Sequence, residues 1–318
     1  MAALSYKDRP VETAPGETVL DALLRAGVET PYSCRAGQCQ TCMLRATEGK
    51  PPEESQIGLT EAQKVQGFFL PCICHPAAPM AIVPPDDAGA RKEAAIREIE
   101  PLAEDIVRLR IEADNLTYRP GQFLELIAGP DLSRHYSLAS HPEEDDFLEM
   151  HVRLHPNGRM SGRLRDGLRP GDKLHVAGPR GTCFYEGVDR DQPLTLIGAG
   201  TGLAPLYGVL RDALRQGHRG PIRLYHGARS GSGLYLADEL QAFAKAHGHF
   251  DYIPAALNAG GDVAALALEA ETSRAAASAF FLCGGDNLVK RLKRDLFMAG
   301  ASLKAIRADV FTPAAPSV

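Results

Sequence analysis

The sequence has 318 residues, 44% of them hydrophobic, and its 35 basic against 40 acidic side chains give a formal charge of −5. A length of this order allows two or three domains, and so mild and interspersed a charge excludes the basic footprint of a nucleic-acid-binding protein. Because charge and proline interrupt the first ten residues and no later stretch approaches ~18 consecutive apolar residues, we expect a cytoplasmic protein with no membrane or nucleic-acid partner.

The first part of the chain is rich in cysteine. Five of the seven cysteines lie within residues 34–74. Their odd total and the lack of a secretory signal favour metal ligation or redox chemistry over a disulfide framework. Cys34, Cys39 and Cys42 have the C-x4-C-x2-C spacing of a plant-type 2Fe-2S cluster, with Cys72 available as a fourth ligand.

Two alternatives stay open at this cysteine cluster. Zinc sites pair two short cysteine knuckles, and Cys72-x-Cys74 fits such a knuckle poorly. Cys74 also competes with Cys72 as the fourth ligand, since the two are separated by one residue.

A linker and a small antiparallel barrel are predicted next. The stretch Pro84 to Lys92 lacks apolar periodicity and carries Pro, Gly and Asp, so we place a linker at 85–91. Beyond it, short runs alternate apolar and polar residues between Pro-Gly turns, a pattern typical of a barrel. These runs are 106–111, 123–127, 148–152 and 173–176.

Two motifs in this barrel suit a flavin dinucleotide. Arg134-His135-Tyr136-Ser137 offers an arginine for a phosphate, a ring to stack on a flat heterocycle and a hydroxyl for flavin N5. The same string also fits a plain strand with a core tyrosine. Gly158-Arg159-Met160-Ser161 opens a helical segment and could present N–H groups and a serine to a pyrophosphate.

The last part of the chain is predicted to form a doubly wound parallel sheet, because strand-like runs alternate with helical stretches after residue 193. The strands are predicted at 194–197, 222–226, 250–253 and 279–282, and the helices at 203–216, 235–247, 263–277 and 286–299. Gly198-x-Gly200-Thr201-Gly202-x-x-Pro205 follows the first strand and indicates a dinucleotide turn, although Leu203 replaces the third glycine of the usual fingerprint.

The residues alone do not decide the choice of coenzyme or the role of Cys283. The second strand ends at Tyr225 to Ser230 without the acidic residue that would accept a ribose diol. Arg229 could meet the 2′-phosphate of NADPH, or it could simply anchor the dinucleotide of either coenzyme. We favour NADH and keep NADPH as an alternative. Cys283 ends a later strand at the edge where open α/β sheets bind ligands, but it also fits a packed core thiol.

In this order the motifs resemble the reductase components of multicomponent bacterial oxygenases, members of the ferredoxin-NADP reductase superfamily with an N-terminal plant-type ferredoxin domain. The resemblance implies a multidomain α+β and α/β fold. It implies a β-grasp ferredoxin domain at 1–84, an antiparallel FAD-binding barrel at 92–188 and a doubly wound NAD(P)-binding domain at 192–318.

The resemblance also implies the site residues. The cluster ligands would be Cys34, Cys39, Cys42 and Cys72, because Leu70-x-Cys72-x-x-x-Pro76 matches the family's Leu-x-Cys-x-x-x-Pro, which leaves Cys74 a bystander. The implied cofactor-binding positions are Arg134, His135, Tyr136, Ser137, His151, Val152, Arg153, Gly158, Met160, Ser161, Gly198, Gly200, Thr201, Gly202, Pro205, Arg229, Cys283, Gly284, Asp286 and Phe311.

The implied reaction passes a hydride from NADH to FAD and then single electrons through the 2Fe-2S cluster. Ser137, Cys283 and Asp309 would be the catalytic residues, although Gly285 replaces the proline of the family's Cys-Gly-Pro and Asp309 is shorter than the usual glutamate. The acceptor would be a terminal oxygenase or hydroxylase component, or an intermediary ferredoxin, docking transiently near the cluster. We expect a monomer, and we expect Cys183 to be a buried structural thiol.

Two further functions remain in competition with this one. A non-enzymatic iron-sulfur redox sensor would use the cluster without oxidising NADH. A zinc-stabilised interaction module would carry no flavin chemistry.

Overall fold

The computed structural model describes residues 3–85, 87 and 91–312. The chain divides into two compact units, Met1–Asp87 and Ala88–Val318. The predicted linker at 85–91 lies mostly outside the described residues. Among the described residues, no helix has the length and apolar character needed to cross a bilayer.

The first unit is a mixed sheet crossed by a helix, the β-grasp arrangement predicted. The sheet order is β2-β1-β5-β3-β4, with β1 parallel to β5 and the other pairs antiparallel. Its strands are β1 (Ala3–Tyr6), β2 (Arg9–Glu12), β3 (Leu44–Glu48), β4 (Phe68–Phe69) and β5 (Met80–Val83), and its helices are α1 (Val19–Arg25) and α2 (Glu61–Val65).

Local signals explain these two helices. Thr18 caps α1 by accepting the Asp21 N–H, and Thr60 forms a reciprocal capping box with Gln63 at the start of α2. Helix α1 buries Val19, Leu20, Ala22 and Leu23, the spacing of one helical face, in the core of this unit.

The second unit begins with a six-stranded antiparallel sheet in the order β10-β7-β6-β11-β8-β9. A bridge between Leu138 and Met150 joins the ends of its two outer strands and closes the sheet into the predicted barrel. The strands are β6 (Lys92–Ala103), β7 (Ile106–Glu112), β8 (Phe123–Gly129), β9 (Leu132–Ser137), β10 (Leu148–Arg153) and β11 (Lys173–Arg180), and a short helix α3 (Arg159–Gly162) follows β10.

The same unit continues into a five-stranded parallel sheet in the order β14-β13-β12-β15-β16. Its strands are β12 (Leu194–Ala199), β13 (Ile222–Ala228), β14 (Phe250–Ala256), β15 (Ala279–Gly285) and β16 (Ile306–Phe311), and its helices are α4 (Leu203–Arg215), α5 (Ala237–Ala246), α6 (Val263–Glu271) and α7 (Asp286–Met298). Helices α4 and α5 pack in one core and α6 and α7 in another, so the sheet is doubly wound as predicted.

The order of this sheet fixes where a ligand can lie. The chain runs outward from β12 through β13 to β14 and then returns to β15 on the other side of β12. A crevice therefore opens at the carboxyl ends of β12 and β15, the switch point at which open α/β sheets bind ligands.

Candidate active site

The cluster loop is shaped by its backbone. Arg35 and Gln40 adopt left-handed conformations with φ of 53° and 58°, which curl the chain around Cys34 and Cys39. The N–H groups of Ala36 and Cys39 each lie 3.4 Å from the Cys34 sulfur, and the Cys34 N–H lies 3.5 Å from the Cys39 sulfur. Hydrogen bonds from Thr41 and Cys34 lower the pKa of Cys39 to about 6, which favours the thiolate form that binds metal.

The cysteines approach one another in two pairs. Cys34 faces Cys39 at the surface, whereas Cys42 and Cys72 are buried and hydrogen-bonded to each other. Within the part of the chain that the structure describes, no three metal-ligating side chains converge on one point. Two thiol pairs fit a group with two metal atoms better than one tetrahedral ion.

Cys74 lies apart from these pairs. It is fully buried in the apolar core of the first unit, and burial raises the pKa of its thiol to about 12. Cys72 instead belongs to the smaller cluster that contains Cys42. This placement favours Cys72 as the fourth ligand, which stays a prediction.

The Arg134–Ser137 motif lies on β9, at the edge of the barrel. Strand alternation puts Arg134 and Tyr136 on one face, with the Tyr136 ring partly buried against the barrel core. His135 lies on the opposite face, where its Nε2 is 2.8 Å from the guanidinium of Arg180. The structure therefore does not group His135 with Arg134 and Tyr136.

The predicted pyrophosphate segment lies beside this strand, because α3 packs against β9. The Ser161 hydroxyl accepts a 2.9 Å hydrogen bond from the His155 N–H. The side chain of Met160 is buried in the barrel core, so its backbone is the part left to meet a ligand. Gly158 immediately precedes α3 and takes an extended conformation.

The three predicted residues on β10 have different surroundings. Val152 is buried in the barrel core. His151 is buried with Nε2 3.0 Å from Glu149 and Nδ1 3.2 Å from the Tyr235 hydroxyl, and burial lowers its pKa. Both of its ring nitrogens are thus engaged by protein groups rather than left for the flavin.

Arg153 connects β10 to the glycine turn of the parallel sheet. Its guanidinium pairs with Asp105, and it also lies 2.8 Å from where a Cβ at Gly200 would stand. Gly200 has φ of 57°, so its backbone favours glycine, and a side chain there would also require the Arg153 guanidinium to shift.

The glycine turn continues into α4 and lies against β15. A Cβ at Gly202 would come within 2.3 Å of the Cys283 carbonyl oxygen, so the turn and the end of β15 are in direct backbone contact. Thr201 lies between the two glycines, and Pro205 lies in the first turn of α4. The arrangement brings the N-terminal end of α4, with its partial positive charge, to the crevice.

The three residues predicted to be catalytic, Ser137, Cys283 and Asp309, converge here. Cys283 pairs in register with Gly198 on one side and Asp309 on the other. The Ser137 hydroxyl, from the barrel, donates a 2.7 Å hydrogen bond to the Asp309 carboxylate. Burial raises the pKa of both Asp309 and Cys283.

The remaining predicted positions lie at or just beyond the carboxyl ends of the parallel strands. Gly284 continues β15, and Phe311 at the end of β16 pairs in register with Gly285. Asp286 begins α7 and forms an ion pair of 2.7 Å with Lys290. Arg229 is exposed just beyond the end of β13.

The structure also shows contacts that sequence reasoning missed. Cys183, expected to be a structural thiol, is indeed buried, but its sulfur lies 3.5 Å from the Cys283 sulfur. Asp105, in the turn between β6 and β7, is the partner of Arg153. Neither residue carries a sequence signal for these contacts, because both depend on how distant segments meet.

Comparison with known proteins agrees with this architecture. Residues 4–77 match the 2Fe-2S iron-sulfur cluster binding domain, residues 93–185 the oxidoreductase FAD-binding domain, and residues 196–293 the oxidoreductase NAD-binding domain. The reductase subunit of an aromatic O-demethylase from an Amycolatopsis species is 33% identical over 335 aligned positions, covering 98% of this chain and 99% of the relative.

Other relatives extend the same pattern. The ferredoxin–NAD(P)(+) reductase component of the naphthalene 1,2-dioxygenase system of Pseudomonas putida is 31% identical over 96% of this chain and 97% of its own length. The crystal structure of an Amycolatopsis cytochrome P450 reductase superposes with a TM-score of 0.68 at 32% identity, covering 99% of this chain and all of that one. The chain belongs to the family of FAD- and 2Fe-2S-containing oxidoreductases that are the reductase components of oxygenase systems.

Proposed function

We propose that this reductase takes electrons from NADH and delivers them singly to a terminal oxygenase or hydroxylase component. When bound, FAD accepts a hydride and releases its electrons one at a time, and the 2Fe-2S cluster relays single electrons. The observation that carries the proposal is the convergence of Ser137 and Asp309 with Cys283 at the carboxyl edge of the parallel sheet.

The chain offers residues to bind each of the three groups: FAD, NADH and the 2Fe-2S cluster. Arg134 and Tyr136, on one face of β9, would hold a flavin phosphate and the flat ring system, with the N–H groups around Gly158 to Ser161 against the pyrophosphate. The glycine turn at Gly200 and the start of α4 would hold the pyrophosphate of NADH. The two cysteine pairs would hold the cluster.

Protein residues set the conditions at the point of hydride transfer. The Ser137–Asp309 hydrogen bond orients the Ser137 hydroxyl toward the carboxyl group of Asp309, whose pKa burial raises. The buried Cys283 thiol stays neutral because burial raises its pKa.

NADH is proposed as the donor, with NADPH as a weaker alternative. Arg229, exposed beyond the end of β13, would anchor the dinucleotide of either coenzyme. Because no carboxylate there binds a ribose diol, NADPH is titrated alongside NADH. The domain boundaries that we propose are 1–84, 92–188 and 192–318, and each matched family range falls within one of them.

The acceptor is proposed to dock on the exposed side of the cluster loop. Cys34 and Cys39 are exposed there, and the guanidinium of Arg35 stacks over the half-exposed ring of Tyr32 at 4.7 Å. An exposed cationic and aromatic rim suits a transient protein contact. Rates of reduction of an oxygenase component and of a separate ferredoxin, measured side by side, would distinguish these two acceptors.

The deciding experiment is an anaerobic visible spectrum titrated with NADH and then NADPH, with iron, sulfide and flavin quantified. We expect iron and FAD in about a two-to-one ratio and bleaching of both chromophores by NADH. Zinc in place of iron would favour the interaction module. Loaded chromophores that no nicotinamide reduces would favour the redox sensor.

A further inference from the structure

Two thiols from different parts of the second unit meet in one buried core. The sulfurs of Cys183 and Cys283 are 3.5 Å apart although the residues are 100 positions apart in sequence. Cys183 lies in the segment that follows β11 of the barrel, and Cys283 lies on β15 of the parallel sheet. Both are almost completely buried in one shared apolar core.

The backbones that carry these thiols are held closely on both sides. A Cβ at Gly121 would lie 2.3 Å from the Cys183 carbonyl oxygen, so the barrel backbone presses directly against Cys183. A Cβ at Gly202 would likewise lie 2.3 Å from the Cys283 carbonyl oxygen. With both main chains held, the direction of each sulfur depends mainly on side-chain rotation about the Cα–Cβ bond.

The Cys283 sulfur has two polar neighbours. The Asp309 backbone N–H donates to it, and the Cys183 thiol forms an S–H hydrogen bond with it. A thiol is a weak donor and a weak acceptor, and the Asp309 carboxyl is a further polar neighbour of Cys283. We expect the two hydrogen bonds to the sulfur to influence which rotamer Cys283 prefers.

We infer that Cys183 is a positioning residue that fixes the orientation of the Cys283 thiol through the contact between their sulfurs. This inference rests on the proposed function, in which Cys283 lies beside the reacting nicotinamide. Cys183 itself touches no substrate in this arrangement and acts only through Cys283.

The competing explanation is that Cys183 merely fills space. Cys183→Ser and Cys183→Ala separate the two ideas, because serine and alanine are nearly equal in volume and differ by a hydroxyl that can replace the S–H group. A space-filling role predicts that the serine variant is no better than the alanine variant, since burying a hydroxyl in an apolar core is unfavourable.

The test measures NADH-driven reduction of ferricyanide by both variants of the loaded enzyme, together with a crystal structure of each. We expect Cys183→Ala to lower kcat by about three- to tenfold, the effect of one weak hydrogen bond, with KM for NADH nearly unchanged. Cys183→Ser should keep most of the wild-type kcat. The Cys283 sulfur should hold its rotamer in the serine variant and leave it in the alanine variant.

Equal kcat values in the two variants, or an unmoved Cys283 sulfur in the alanine variant, would overturn the inference. A Cys283→Ala variant separates its failure from that of the proposed function. If Cys283→Ala leaves kcat unchanged, the proposed role of Cys283 is wrong. If it lowers kcat while Cys183→Ser and Cys183→Ala behave alike, only the positioning role of Cys183 is wrong. In the Cys283→Ala background, the two Cys183 variants should be indistinguishable.

Discussion

The hydroxyl of Ser137 and the carboxylate of Asp309 form a 2.7 Å hydrogen bond between the barrel and the parallel sheet, across 172 positions of sequence. Removing the hydroxyl leaves the partly buried carboxyl without this donor. We expect Ser137→Ala to lower kcat with NADH by about tenfold, the cost of one charge-assisted or catalytically placed hydrogen bond. Ser133→Ala, on the same strand, is the matched control, and similar losses in both variants would mean that the hydrogen bond itself is unimportant.

Asp309 should make stability depend on pH in a definite direction. Burial raises its folded-state pKa above the ordinary value near 3.9 despite the Ser137 hydrogen bond. The contribution of this carboxyl to stability is therefore fully present below the unfolded-state pKa and is lost as pH rises through the folded-state pKa. Asp309→Asn should remove this loss of stability at higher pH, because asparagine does not ionise.

The measurement is chemical unfolding of wild type and Asp309→Asn over a pH series. The stability of the variant relative to wild type should rise as pH increases from about 4 to neutral. Asp114→Asn, at an exposed position, provides the comparison for simple loss of a surface carboxyl. A difference between Asp309→Asn and wild type that is constant with pH would contradict the prediction.

The choice of fourth cluster ligand can be tested directly. We expect Cys72→Ala to abolish the visible absorbance of the cluster and to lower bound iron, because Cys72 is the partner of Cys42. Cys74→Ala should retain iron and lose about 1–2 kcal/mol of stability, since it removes a small buried side chain from a packed core. Loss of iron in the Cys74 variant and its retention in the Cys72 variant would reverse the assignment.

Arg229 should influence the choice of coenzyme. Its side chain is exposed and has no ion-pair partner within the described residues, so it is available to a 2′-phosphate. We expect Arg229→Ala to lower kcat/KM for NADPH by about tenfold or more and that for NADH much less, since hydrogen bonds to charged groups contribute about 1.5–3 kcal/mol. Lys245→Ala removes an exposed cation on helix α5 and should affect both coenzymes little. Equal losses of kcat/KM for both coenzymes in the Arg229 variant would show that Arg229 does not bind the 2′-phosphate.

The glycine turn offers a backbone test. Gly200→Ala introduces a Cβ at a left-handed residue and against the Arg153 guanidinium, which should cost about 1–2 kcal/mol of stability. It should also raise the dissociation constant for NADH, measured by titration of the oxidised protein with a non-reducible analogue. Gly217→Ala, at another left-handed glycine with open space around its Cβ position, is the matched control. An unchanged dissociation constant in Gly200→Ala would place nicotinamide binding away from this turn.

Local patterns in the sequence were enough to predict much of the fold. The cysteine spacing, the alternating strands and the Gly198–Pro205 turn each depend on neighbouring residues, and the predicted sheets and helices follow them. Strand β6 was missed because Lys92–Ala103 buries few large apolar side chains and therefore alternates weakly. The predicted helix at 263–277 ends as an α-helix at Glu271 and continues as a tighter helical segment to Ala277.

The candidate site was less accessible to the same reasoning. Ser137 and Asp309 each carried a motif, but their hydrogen bond depends on how the barrel packs on the parallel sheet. Likewise, His151 contacts Tyr235 and Arg153 contacts Asp105, and neither partner lies in a recognisable local pattern. Contacts of this kind arise from tertiary packing, which single-sequence periodicity does not describe.

The backbone contact between Gly202 and Cys283 limits where the preference for NADH or NADPH can be engineered. Because a side chain at position 202 would collide with the main chain of β15, the glycine turn and the Cys283 loop can change only together. The end of β13 has no such restriction, since Arg229 projects into solvent. Libraries aimed at switching this reductase between NADH and NADPH should therefore vary residues 229–232 and leave the interior of the crevice untouched.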